Sequence, residues 1–114
     1  MKIKFVTAFV ILALLSGAVG AQDTIEKKKI AMLISSVEHL EGAIFTRNGS
    51  EYNSKKAAEH LRMKLQKAGT KVKTADDFIR LCASKSLITG KPYIIRLSNG
   101  KTIKSEEYFR EKLK

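Results

Sequence analysis

Two Asn-Gly dipeptides, Asn48-Gly49 and Asn99-Gly100, constrain this chain more than any other feature. Asn-Gly readily takes the positive φ values that a tight hairpin turn requires, so each pair predicts two antiparallel strands. The first pair joins Ile44-Phe45-Thr46 to Ser50-Glu51-Tyr52, within a hairpin expected over Ala43 to Tyr52. The second joins a strand over Tyr93 to Leu97 to the return strand Thr102-Ile103-Lys104. Tyr93, Ile95 and Leu97 alternate onto one face of their strand. A serine suited to capping a helix follows each hairpin, Ser54 and then Ser105. At the same offset, Tyr52 matches Ile103 and Ala43 matches Ile94. Two readings fit: a duplicated ββα unit, or the same local solution used twice. Few other side chains match, which favours the second reading. Under either, the hairpins can join into one four-stranded antiparallel sheet.

Helical periodicity fills the remaining segments. Ile30, Leu33, Ile34, Val37 and Leu40 recur at spacings of three and four, predicting a helix from Asp23 to Leu40 that stops at Gly42. From about Lys55 to Ala68, the residues Ala57, Ala58, Leu61, Leu65 and Ala68 form one apolar arc, and Gly69 stands at the left-handed cap position. Thr74 and Asp77 have capping-box spacing and open a third helix, with Phe78, Ile79, Leu81 and Cys82 as its apolar residues. That helix is expected to fade at Ser84 to Ser86, and Gly90-Lys91-Pro92 reads as a loop. A last helix carries Tyr108, Phe109 and Leu113. The fold class is therefore α+β: an N-terminal helix, two hairpins and three further helices, packed as helices against a small sheet in one domain over 22–114.

The first 21 residues read differently. Lys2 and Lys4 precede an apolar run from Phe5 to Leu15 broken only by Thr7, and small residues follow up to Ala21. This is the layout of a secretory signal peptide. The run falls short of the ~20 apolar residues that span a bilayer, which disfavours an uncleaved anchor. Val19 and Ala21 suit the −3 and −1 positions, so cleavage is expected after Ala21, with Gly20 as the near alternative. Leu15-Ser16-Gly17 resembles the start of a lipoprotein box, but Ala18 stands where the lipidated cysteine would be. Export is therefore expected.

The formal net charge is +11 and the pI is about 9.9. Such values suit nucleic acid, but no aromatic residues interleave with the basic run and no reading motif is present. Export also argues against a nucleic-acid partner. One cysteine and two histidines exclude a disulfide scaffold, and no ligand pair has metal-site spacing, so no metal or cofactor is expected.

Several stretches resemble a family of small exported bacterial proteins catalogued only as a domain of unknown function. They are Phe45-Thr46-Arg47-Asn48-Gly49-Ser50-Glu51-Tyr52, Ala57 through Leu65 with His60-Leu61-Arg62, Thr74 to Ser86, and Gly90-Lys91-Pro92-Tyr93-Ile94-Ile95-Arg96. The resemblance runs from about Ile30 to Leu113. It implies export, with the bacterial periplasm as the location, and no activity.

The candidate binding residues are Arg47, Tyr52, His60, Arg62 and Lys64. A hairpin tip beside basic helical side chains can hold an anionic or polar group. Turn chemistry alone explains Asn48 and Gly49, so Arg47 and Tyr52 carry more of that reading. From Ser54 to Lys73, the basic residues Lys55, Lys56, Arg62, Lys64, Lys67, Lys71 and Lys73 face a single acid, Glu59. The leading reading of this run is a solvated basic face; as an interaction surface it would meet an acidic protein or an anionic envelope component. A noncatalytic binding module is the leading expectation. An envelope-surface protein held by charge comes second, and a small enzyme third. The enzyme would centre on Cys82 or His60, with His39 as an alternative base and Asp76 or Asp77 orienting it. Cys82 lies four residues after Phe78, on the face expected to be buried, which points to a core thiol. Helix-dipole complementarity explains Asp76-Asp77 and Glu106-Glu107 without catalysis.

Overall fold

The structure is a computed structural model that describes residues 23–114. The segment read as a signal peptide lies outside the described residues. Helix α1 spans 23–38. Strands β1 (Ile44–Arg47) and β2 (Ser50–Tyr52) follow, then α2 (Ser54–Ala68). A 3-10 turn at Gly69–Lys71 leads to α3 (Ala75–Phe78), which widens into a π-helical turn at Ile79–Ala83. Strands β3 (Ile94–Arg96) and β4 (Thr102–Lys104) and helix α4 (Ser105–Lys112) complete the order.

The two hairpins form one sheet in the order β2-β1-β3-β4, antiparallel throughout. Register aligns Tyr52, Phe45, Ile95 and Ile103 across all four strands. Because side chains alternate along a strand, these four share a face. Ile95 is fully buried there, and Phe45 and Ile103 pack against the core. The other face carries exposed Glu51, Arg96 and Lys104, with Glu51 and Arg96 paired at 3.6 Å. The helices cover the apolar face, which gives the α+β architecture expected from the sequence.

Each expected apolar stripe supplies the core. Ile30, Leu33, Ile34 and Val37 come from α1, Ala57, Ala58 and Leu61 from α2, and Tyr108 and Phe109 from α4. Phe78 and Phe109 meet edge to face at 6.1 Å, and Tyr108 meets Phe109 at 5.3 Å. Buried polar groups are paired: the Tyr108 hydroxyl donates to Ser36 Oγ at 3.0 Å, and Ser84 Oγ donates to the Ile79 carbonyl at 2.6 Å. That second bond reaches back five residues, as the π-helical turn does, and closes the helix where the sequence suggested fading.

Local chemistry explains the boundaries. Asn48 and Gly49 have φ values of 51° and 82°, as a two-residue primed turn demands. The second hairpin is looser. Leu97 N–H donates to Lys101 O at 2.8 Å and Gly100 N–H to Leu97 O at 2.9 Å, so Ser98-Asn99-Gly100 form a three-residue loop with positive φ at Gly100 alone. Thr74 and Asp77 form the expected reciprocal capping box. Both serine caps are corrected. Asn53 caps α2, its side chain accepting from Lys56 N–H at 2.9 Å, while Ser54 Oγ donates to the Leu40 carbonyl. Lys104 occupies the cap position of α4 without a side-chain bond. Ser105 is buried, and its N–H continues the sheet ladder to Tyr93 O at 2.9 Å. Both serines are engaged in joining elements, so neither hydroxyl serves its own helix end.

Among the described residues the core cluster lies between Ile30 and Leu113, so the segment 22–114 should unfold cooperatively by itself. Within it, Phe109→Ala should cost about 3–5 kcal/mol and Thr74→Ala about 1 kcal/mol in equilibrium urea unfolding. Equal effects of the two substitutions would contradict this packing.

Candidate functional site

A cavity of about 40 Å³ lies between the first hairpin and α2. That volume holds two or three waters, or the head of a small polar group. Arg47 follows Phe45 by two residues and therefore shares its helix-facing side. Its guanidinium sits 5.5 Å from the centroid of the Tyr52 ring. On α2, Ala57, His60, Leu61 and Lys64 fall on one face at spacings of three and four. His60 meets Tyr52 edge to face, with centroids 4.5 Å apart. Lys64 donates a hydrogen bond to the Tyr93 hydroxyl, and its ammonium lies 4.6 Å from that ring's centroid. Tyr93 precedes Ile95 by two and so extends the same sheet face. Phe45, Leu61 and Phe109 supply apolar lining.

Four of the five residues singled out from the sequence, Arg47, Tyr52, His60 and Lys64, thus line one cavity. Arg62 does not join them. Two residues along a helix is more than half a turn, so Arg62 faces away and pairs with Glu38 of α1 at 2.8 Å. Tyr93 was missed. Its place follows from the pairing of β1 with β3, which no local signal announces.

The electrostatics are one-sided, because no carboxylate lines the cavity. Burial, then the charges of Arg47 and Lys56, lower the pKa of His60 below its ordinary value, against a small opposing effect of Glu59. Neutral His60 can accept or donate one hydrogen bond. Cys82 is buried at 1 % exposure, and burial pushes its thiol pKa up, as a core thiol requires. Among the described residues, no group of three His, Cys, Asp or Glu is placed to hold a metal ion.

The chain belongs to a family of unknown function, DUF5329, whose match covers residues 24–114. It is similar to an uncharacterized protein, YfeK, of Salmonella typhimurium strain LT2. The two are 37% identical over 90 residues, covering 79% of this chain and 75% of the relative. No solved structure matches this chain.

Because its pKa is lowered in the folded state, His60 favours folding at high pH. That contribution is present above the unfolded imidazole pKa and is lost as pH falls from there through the lower folded value. Nuclear magnetic resonance titration should place the His60 pKa below the ordinary imidazole value, and Arg47→Ala should raise it. An unchanged value in Arg47→Ala would refute the arrangement.

Proposed function

We propose that this chain is an exported, noncatalytic binding protein of the bacterial periplasm. In this reading, Arg47, Tyr52, His60 and Lys64, with Tyr93, receive an anionic end group of an acidic protein or envelope component. One observation carries the binding reading: cationic and hydroxyl-bearing side chains converge on a cavity that no carboxylate lines. A carboxylate or phosphate oxygen would find donors from Arg47, Lys64 and the two tyrosines, backed by apolar walls that strengthen each bond. Burial of the only cysteine supports a noncatalytic role. Export is supported by the order of charged, apolar and small residues in 1–21.

Two measurements test this. Mass spectrometry of the chain expressed in a Gram-negative host should find a periplasmic form beginning at Gln22; a cytoplasmic form starting at Met1 would defeat the export reading. Acetate and inorganic phosphate, titrated up to about 10 mM, should shift the His60 and Tyr52 resonances, and Arg47→Ala or Lys64→Ala should weaken binding about tenfold. If neither anion shifts them, or if the folded variants bind equally well, the cavity is not an anion site.

A further inference from the structure

The loop between the π-helical turn and β3 presents two apolar side chains to solvent. Leu87 is 69% exposed and Ile88 95%. No backbone accident forces them outward, because the loop is tightly fixed. Ser86 is buried, and its Oγ accepts from the N–H groups of Ile88 and Thr89, both at 3.2 Å. Gly90 N–H donates to Ser86 O at 2.9 Å, and Lys91 N–H to Thr89 Oγ1 at 3.3 Å. Asn48 of the first hairpin holds the loop from the side, donating to Ser86 Oγ at 3.3 Å and accepting from Thr89 Oγ1 at 2.7 Å. The backbone donors from Ile88 to Lys91 are therefore satisfied within the protein. Such a tip can leave water without stranding those groups.

The surrounding charge is all of one sign. Lys85 and Lys91 flank the tip in sequence, and Leu87 shares a shallow cleft with Lys64, Lys67 and Lys71 of α2 and the turn after it. Lys67, Lys71, Lys85 and Lys91 have no carboxylate partner among the described residues. From Phe78 to Ser105 the sequence contains neither Asp nor Glu.

We infer that this tip is a membrane-docking element, with Leu87 and Ile88 entering the interfacial zone of a bilayer and Lys67, Lys71, Lys85 and Lys91 resting on anionic phospholipid headgroups. Two protruding side chains bury far less than the ~800 Å² that each partner contributes to a stable protein interface. Flexible lysines suit a diffuse negative surface better than a fixed carboxylate pair. The docking residues lie outside the cavity, although Lys64 borders both it and the cleft of Leu87, and the inference does not depend on an anion binding in the cavity.

The test is co-sedimentation of segment 22–114, its fold checked by circular dichroism, with phosphatidylcholine vesicles lacking or containing about 30% phosphatidylglycerol. Residues 1–21 are omitted from every arm because their apolar run would itself bind lipid. The segment should bind the anionic vesicles and release as salt rises from about 50 to about 300 mM. Leu87→Ser/Ile88→Ser should bind about tenfold more weakly, as should Lys85→Gln/Lys91→Gln. The chain has no tryptophan, so Ile88→Trp provides a single emitter that should shift to the blue on anionic vesicles. No vesicle binding, equal binding to neutral vesicles, unchanged binding by the serine variant or an unshifted emission would each overturn the inference. So would a dimer in sedimentation velocity that Ile88→Ser dissolves, which would make a second copy the occupant.

Discussion

The pairing of β1 with β3 is the constraint on which the rest depends. Each hairpin alone is a two-stranded ribbon with one apolar face, and such ribbons are marginal in water. Pairing Phe45 with Ile95 joins them and makes a surface wide enough for four helical segments to cover. The same pairing sets Arg47 of one hairpin beside Tyr93 of the other, so the cavity exists only when both halves are in register. The tertiary contact that completes the core therefore also assembles the candidate site.

Charge is distributed along the same division. Most acids are engaged in surface pairs, with arginines in Glu38–Arg62, Asp76–Arg110, Asp77–Arg80, Glu51–Arg96 and Glu106–Arg110, and with lysines in Asp23–Lys27, Glu26–Lys29, Glu59–Lys56 and Glu111–Lys114. These exposed pairs are screened by solvent and contribute little stability. Arg62, Arg80, Arg96 and Arg110 are paired in this way, while Lys67, Lys71, Lys85 and Lys91 around the Leu87 loop have no carboxylate partner among the described residues. Uncompensated positive charge therefore surrounds that loop.

Much of the fold was legible because its signals are local. The primed turn needs positive φ at Asn48 and Gly49, the capping box needs Thr74 and Asp77, and each helix buries the stripe its spacing defines. The serine caps were misjudged because Ser54 and Ser105 are claimed by distant carbonyl and strand contacts. The π-helical turn was hidden because one extra residue per turn leaves Phe78, Ile79 and Cys82 apolar and buried in either geometry. At the site, Arg47 and Tyr52 were legible because the turn did not require them. Arg62 was grouped with His60 and Lys64 by nearness in sequence, although only residues three or four apart share a helix face. Tyr93 and the Leu87 tip depend on long-range placement that a single sequence does not reveal.

Asn48 does more than turn the chain. Its side chain donates to Ser86 and accepts from Thr89, which ties the hairpin that bears Arg47 to the loop that bears Leu87 and Ile88. One amide side chain thus bridges the hairpin that bounds the cavity and the loop with the most exposed apolar side chain on the described surface.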